Sequence, residues 1–167
     1  VNGMSARGVT NASLSVRRGE IVGLTGIEGQ GQREFLRALA GLNPPTGGTI
    51  ELNGGAVDCS GPAAARAAGI RFVPDDRHAE GLFLPLSIRE NLAFSIFDRL
   101  APNGILTTAR EKAEADGMIA QMQVRTQSDA TQVSNLSGGN QQKVLIGREL
   151  AAEPALLIID EPTKGVD

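Results

Sequence analysis

An α/β fold with a mixed sheet and an inserted helical region follows from three features of the sequence. First, an apolar run at 21–24 enters the loop Thr25-Gly26-Ile27-Glu28-Gly29-Gln30-Gly31-Gln32-Arg33-Glu34, after which Phe35, Leu36, Leu39 and Ala40 recur at helical spacing. Second, a polar turn, Leu136-Ser137-Gly138-Gly139-Asn140-Gln141-Gln142-Lys143, opens another helix. Third, beyond Pro154, four aliphatic residues at 156–159 read as a buried strand that ends on Asp160 and Glu161. Strand, glycine loop and helix in succession form the layout of a phosphate-binding loop.

Taken in order, 9–16 alternates loosely and reads as an early strand, closed by a turn at Arg17-Arg18-Gly19-Glu20. The run 21–24 is a second short strand, and Gly41 and Pro44 end the helix after the glycine loop. Two short strands are expected at 48–53 and 56–58 around Gly54-Gly55. The alanine-rich stretch 62–68 predicts a helix capped by Ser60 or Gly61 and stopped by Gly69. Residues 70–73 return to a buried strand, which runs into Pro74-Asp75-Asp76-Arg77.

The stretch 86–133 reads as an inserted helical region. Ser87 and Glu90 form a capping-box pattern ahead of Leu92, Phe94 and Ile96. Thr108 and Glu111 repeat it before a helix with Ala115, Met118, Ile119 and Met122 on one face, the methionines reading as core filler. Residues 101–107 are the loop between these helices, and 125–134 is a polar connector.

Composition narrows the function classes. A chain of 167 residues can bury a core of its own. Its formal charge of −3 argues against nucleic acid as the main partner, because neutralising phosphates needs a basic face. No apolar run approaches the roughly 18–20 residues that span a bilayer, and 1–7 does not resemble a signal peptide. A cytosolic chain is therefore expected unless a partner holds it at a membrane. Cys59 has neither a second cysteine nor a ligand cluster, and His78 reads as a solvated loop residue.

The chemistry-bearing residues fall into three groups. Amides of the glycine loop, with the positive end of the following helix, can surround polyphosphate oxygens. Ser137 suits an N-cap whose hydroxyl accepts an amide of the first turn, and Gly138 and Gly139 leave the backbone open to a bulky anion. At the end of the 156–159 strand, one of Asp160 and Glu161 can reach a metal and the other an attacking water.

The run 136–142 resembles the signature motif of ABC-type ATPases, and 156–161 resembles their Walker B strand with its following glutamate. The order of phosphate loop, acid-bearing loop, helical insert, signature turn and Walker B strand extends the likeness over nearly the whole chain. The resemblance implies a P-loop NTPase core at 1–85 with its phosphate loop at 26–34, an inserted helical subdomain at 86–135, and the signature helix and Walker B strand at 136–167. Because the family continues through further strands and a switch histidine, a C-terminally truncated core is expected, poorly soluble or inactive alone.

The resemblance also assigns roles, with ATP and Mg2+ as cofactors. Gly26, Gly29 and Gly31 match the family's loop glycines, and Gln32, Arg33 and Glu34 complete the local nucleotide site. Where the family calls for a lysine and then a serine or threonine, this chain has Gln32 and Arg33. Arg33, one residue on, is turned by roughly 100 degrees around the helix. The local site is therefore expected to be degenerate and poor at hydrolysis. The family's adenine-stacking aromatic is also missing, since there is no Tyr or Trp and the first Phe is Phe35. Asp75 stands where most members place a glutamine that senses the γ-phosphate.

In the family two such domains close head to tail, so Ser137, Gly138, Gly139 and Gln141 would cover a triphosphate bound by a partner half. Asp160 would hold magnesium and Glu161 would polarise water in the local site. The implied partners are another ABC ATPase half, transmembrane permease subunits and, indirectly, a solute-binding protein, at the cytoplasmic face of the membrane. The pattern looks most like the second ATPase half of a tandem ribose/galactose/xylose-type importer. Nucleoside importers and a non-catalytic regulatory half are the alternatives. The acidic balance and short insert count against a soluble ABC ATPase of DNA repair or translation.

Overall fold

In the computed structural model, which describes residues 1–162, the chain separates at Arg71/Phe72 into two compact units. In the first, β1 (Asn2–Ala6), β2 (Val9–Ala12) and β3 (Gly47–Thr49) form an antiparallel sheet in the order β2-β1-β3. Met4, fully buried, anchors it. The strand expected at 9–16 stops at Ala12, because its regular pairing is only with the short β1. β1 itself has no alternating pattern; Asn2-Gly3-Met4-Ser5-Ala6 is a strand because of its two neighbours.

The short strand expected at 21–24 is not formed. Ile21 is 99% exposed and Leu24 40% exposed, and no strand pairs with this stretch among the described residues. Apolar residues alone do not make a strand without a partner to hydrogen-bond them.

Helix α1 (Gln32–Leu39) starts from Gly31, which has a left-handed backbone (φ 95°). A Cβ at Gly31 would lie 2.7 Å from the Gly8 carbonyl oxygen, so the position needs glycine for space as well as conformation. At its other end the Leu42 amide donates to Arg37 O (2.9 Å) and the Gly41 amide to Ala38 O (3.0 Å). That is the paired closure of a Schellman motif with glycine at the left-handed position. Beyond β3, the strands expected at 48–53 and 56–58 become β4 (Glu51–Leu52) and β5 (Gly55–Ala56), a tight hairpin. Asn53 (φ 54°) and Gly54 (φ 81°) form its turn, and two consecutive left-handed residues match the twist of a two-residue hairpin. Helix α2 (Pro62–Ala67) begins after Gly61 with proline in its first turn.

Strand β6 (Ile70–Val73) pairs with β7 (Leu156–Ile159), and the Asp160 amide donates to Val73 O at 2.9 Å. In the second unit α3 (Ile88–Phe94), α5 (Thr108–Gln121) and α6 (Gly138–Leu150) share an apolar core, and α4 (Phe97–Leu100) packs in a smaller cluster with Ala93, Ile96 and Ala151. Val73, Ile88, Leu92, Ala115, Val133, Val144 and Leu145 are the centre of the shared core. Gly147 lies where α6 meets α3 and α5: a Cβ there would be 3.0 Å from Met118 Cγ and 3.1 Å from Met122 Cγ. Both methionines therefore fill core, as their spacing suggested. The region 86–135 shares this core with α6.

The capping box at α3 is complete. Ser87 Oγ accepts from the Glu90 amide (3.2 Å), and Glu90 Oε2 accepts from the Ser87 amide (2.8 Å). These bonds from Ser87, the hydroxyl's first, hold the Glu90 carboxyl below its ordinary range. At α5 the expected box at Thr108 and Glu111 is absent. Thr107 is the N-cap and makes no side-chain cap bond, while Glu111 turns to Arg89 at 3.6 Å. With the cap one residue earlier than expected, the third helical position is Arg110 rather than a glutamate, and no reciprocal cap can form.

Arg89 also meets Asp129 at 2.9 Å, and Lys112 reaches the same carboxylate at 3.5 Å. Burial pushes the Asp129 carboxyl up, but the hydrogen bond from Arg89, the Lys112 charge and the Ser128 hydroxyl outweigh it, leaving the group below its usual value. A carboxylate depressed in the folded state stabilises above its unfolded pKa, about 3.9 for Asp, and loses that contribution as pH falls through the folded value. Asn91, fully buried, accepts from the Phe83 amide and donates to the carbonyls of Phe83 and Ser87, at 2.9–3.0 Å.

Two outcomes follow. Asn91→Ala, by orphaning buried backbone groups, should cost about 2–3 kcal/mol in urea unfolding of the second unit; a loss under about 0.5 kcal/mol would contradict the clamp. Acid should destabilise this unit below about pH 4, and Asp129→Asn should flatten that limb in thermal melts from about pH 2.5 to 6. An unchanged slope would contradict the assignment.

Candidate functional site

The glycine loop lies beside a cleft of about 310 Å³ walled by Val9, Ala12, Leu14, Leu24 and Phe35. Gly29 and Gly31 have left-handed backbones (φ 82° and 95°), which glycine adopts without a Cβ clash. Gln32 folds back over the loop and its Nε2 donates to Ile27 O at 3.3 Å. A Cβ at Gly26 would lie 1.8 Å from that nitrogen, so glycine is what lets the carboxamide pack there. Arg33 is exposed on the first turn of α1. Glu34 packs beside Gly8, its Cγ 2.9 Å from where a Gly8 Cβ would lie. Gly26, Gly31 and Gln32 are thus brought together, whereas Glu34 is directed toward the β1–β2 turn.

In the second unit β7 delivers its two acids differently. Asp160 is buried, held through its amide on β6. Glu161 is exposed and has a left-handed backbone (φ 51°), an unfavourable conformation for a residue with a Cβ, by on the order of 1–2 kcal/mol. The strand thus ends abruptly at the second acid, which leaves the line of the strand. Among the described residues no group of three or more His, Cys, Asp or Glu gathers to hold a metal. Asp160 fits as a single carboxylate toward a magnesium ion that is otherwise ligated by phosphate oxygens and water. Residues 163–167 lie outside the described residues.

The turn before α6 differs in two respects from its sequence reading. Ser137 is the N-cap, but its hydroxyl makes no cap bond to the helix amides; Asn140 Nδ2 donates to Ser137 Oγ at 3.0 Å instead. Gln141 is buried, with Nε2 donating to Val133 O (3.1 Å) and Oε1 2.8 Å from His78 Nε2. Arg77 Nε donates to the same oxygen at 3.4 Å. Gln141 therefore faces the protein interior, tying α6 to the π-helical turn Arg77–Gly81. Residues 137 and 141 bracket the first turn of α6; Ser137 is exposed at its start and Gln141 is drawn into the core.

His78 is exposed, as expected, yet its ring is engaged by Gln141. Asp76 caps the π-helical turn, accepting from the amides of His78 and Ala79 at 3.0 Å each. Asn140, adjacent to Ser137, is the functional candidate that sequence reading missed. Its Oδ1 accepts the Arg125 amide at 2.9 Å, a link across 15 residues with no local sequence signal.

The chain matches the ABC transporter family over residues 9–164. It is 42% identical over 159 residues to the ribose import ATP-binding protein RbsA of Chromobacterium violaceum, covering 95% of this chain and 32% of that protein. With the Bacillus licheniformis protein of the same name it shares 43% over 164 residues, covering 98% and 33%. A putative ribose/galactose/methyl galactoside import ATP-binding protein of Agrobacterium fabrum is 42% identical over 157 residues, covering 94% and 32%. The chain thus spans about a third of the length of these relatives. Among solved structures it resembles the dimeric ATP-binding cassette MJ0796 bound to ADP and Pi, with a TM-score of 0.81 at 23% identity, covering 99% of this chain and 74% of that one. It also resembles cbiO1 of Clostridium perfringens (TM-score 0.75, 23% identity, covering 96% and 61%). These structural likenesses establish the cassette fold.

Proposed function

Because this chain belongs to the ABC transporter family, we propose that it is part of an ATP-binding subunit that powers import of a simple sugar. On this reading it is the second half of a tandem pair, and its signature turn closes over ATP held by the other half. The observation that carries the proposal is the contrast between its two phosphate-facing elements. The turn at Ser137-Gly138-Gly139 begins a 13-residue helix, and the side chain of its N-cap leaves the first-turn amides uncapped. Such a terminus attracts an anion through its free amides and its dipole. The loop at 26–34, in contrast, carries a neutral Gln32 that bonds to its own backbone. A lysine there would add a charge-assisted bond, roughly 1.5–3 kcal/mol.

On the same reading Asp160 would hold magnesium through water, and Glu161 would orient the attacking water. The magnesium would supply charge neutralisation for the phosphates. The presence of both acids favours slow residual turnover.

Sugar specificity follows the names of the relatives, which are ribose or ribose/galactose importers. Coupling to membrane permease subunits is supported by an exposed aromatic pair, Phe83 just before the helical insert and Phe94 within it. Phe83, Phe94 and Phe97 are 41%, 56% and 46% exposed, and the rings of Phe83 and Phe94 are 4.7 Å apart. Large exposed rings in one place fit a protein interface. None of the described helices is long and apolar enough to cross a membrane, so attachment would be peripheral, at the cytoplasmic face.

In the full-length protein Gly138→Asp should lower ATP turnover at least about 100-fold, since a carboxylate would repel the partner's triphosphate at the signature turn. Unchanged turnover would remove the shared-site reading. Gln32→Lys with Arg33→Ser should tighten nucleotide binding at the local loop by about 10-fold, measured by fluorescent-nucleotide titration. No gain would mean that the loop is limited by something other than its missing charge. If Glu161→Gln alone abolishes turnover while the other half's equivalent change does not, the local site is the working one and the proposal is reversed.

A further inference from the structure

We propose that Asn140 is a positioning residue which fixes the Ser137 hydroxyl as an outward hydrogen-bond donor toward the partner's triphosphate. The inference rests on the reading of the signature turn given above and adds a residue to it.

A carboxamide has one accepting and one donating end, and the contacts determine which faces which way. The Arg125 amide lies 2.9 Å from Asn140 Oδ1. A backbone N–H can only donate, so the oxygen must face it. The NH2 end is then committed to Ser137 Oγ, 3.0 Å away. Because that NH2 can only donate, the serine oxygen accepts, and its single proton is directed elsewhere. Ser137 is exposed, with extended backbone angles (φ −63°, ψ 156°). A hydroxyl donor set this way is suited to a phosphate oxygen, which only accepts.

The reference point is firm. Arg125 follows Val124, which belongs to the core of the second unit, and the Val124 amide donates to Ile119 O at 3.0 Å. Lys143, one turn into α6 from Asn140, donates to Gln123 O at 3.0 Å. The end of α5 and the start of α6 are therefore pinned twice, and Asn140 reads its orientation from that joint. Asp at 140 would present an acceptor on both sides, draw the serine proton inward and leave the phosphate facing lone pairs.

The test is a double-mutant cycle in the full-length protein, with ATP turnover (KM and kcat separately) and thermal unfolding as readouts. Asn140→Ala should raise KM for ATP about 3–10-fold, and Asn140→Asp more. Once Ser137→Ala is present, Asn140→Ala should raise KM no further, because the hydroxyl it orients is gone. A drop in melting temperature from Asn140→Ala should persist in both backgrounds, since the Arg125 bond is lost in each, and be smaller with Ser137→Ala, where the bond to the hydroxyl is already gone. If the KM effects of the two changes multiply independently, Asn140 acts directly and the proposal is overturned. If Ser137→Ala raises KM but Asn140→Ala does not, the proposal fails and the reading of the turn stands. If neither Ser137→Ala nor Gly138→Asp affects turnover, that reading fails too.

Discussion

The burial of α6 is the constraint from which the geometry of the second unit follows. Val144 and Leu145 are fully buried, and Gly147 is small because α6 lies against Met118, Met122 and Leu92 there. Arg148 donates from Nη1 to Gly81 O at 2.5 Å and from Nε to Glu149 at 2.9 Å, both deep in the protein. Gly81 in turn has no Cβ because Leu145 occupies that space. A helix held on this side cannot rotate, so Gln141 must point inward and Ser137 outward. The exposure of the signature turn is thus a consequence of packing three turns away.

A second consequence concerns what is rigid and what is left adjustable. Buried partners that are each satisfied are costly to disturb, because breaking one orphans another. Gln141 with Val133 and His78, and Asn91 with Phe83, both satisfy this description. The elements proposed to meet phosphate have the opposite character. Gln32 bonds to its own loop through a single exposed contact of 3.3 Å, which is weak by comparison. Glu161 is exposed on a strained backbone.

What could be read from the sequence follows the range of the forces involved. Local chemistry was legible: the Ser87–Glu90 box, the stop at Gly41, the helix at Pro62 and the strands at 70–73 and 156–159 depend on neighbours a few residues away. Non-local pairing was not. β1 has no pattern of its own, and 21–24 has a strand's composition but no strand beside it among the described residues. Thr108 has no box because the helix starts one residue early, with Thr107 as its cap, and Glu111 meets Arg89 of α3 instead. At the site, motif matching named Ser137, Gly138, Gly139 and Gln141; the structure buries Gln141 and bonds its neighbour Asn140 to Ser137. Which of two adjacent amides faces outward depends on the core beneath α6, and no spacing rule encodes it.

The central claim is that this chain covers a partner's nucleotide more effectively than it grips its own. Counting tightly retained MgATP per full-length protein, under conditions where hydrolysis is blocked, tests it most directly. One tight nucleotide, together with a second site at least about 10-fold weaker (near 1.4 kcal/mol), is the predicted result. Two nucleotides held with equal affinity would contradict it.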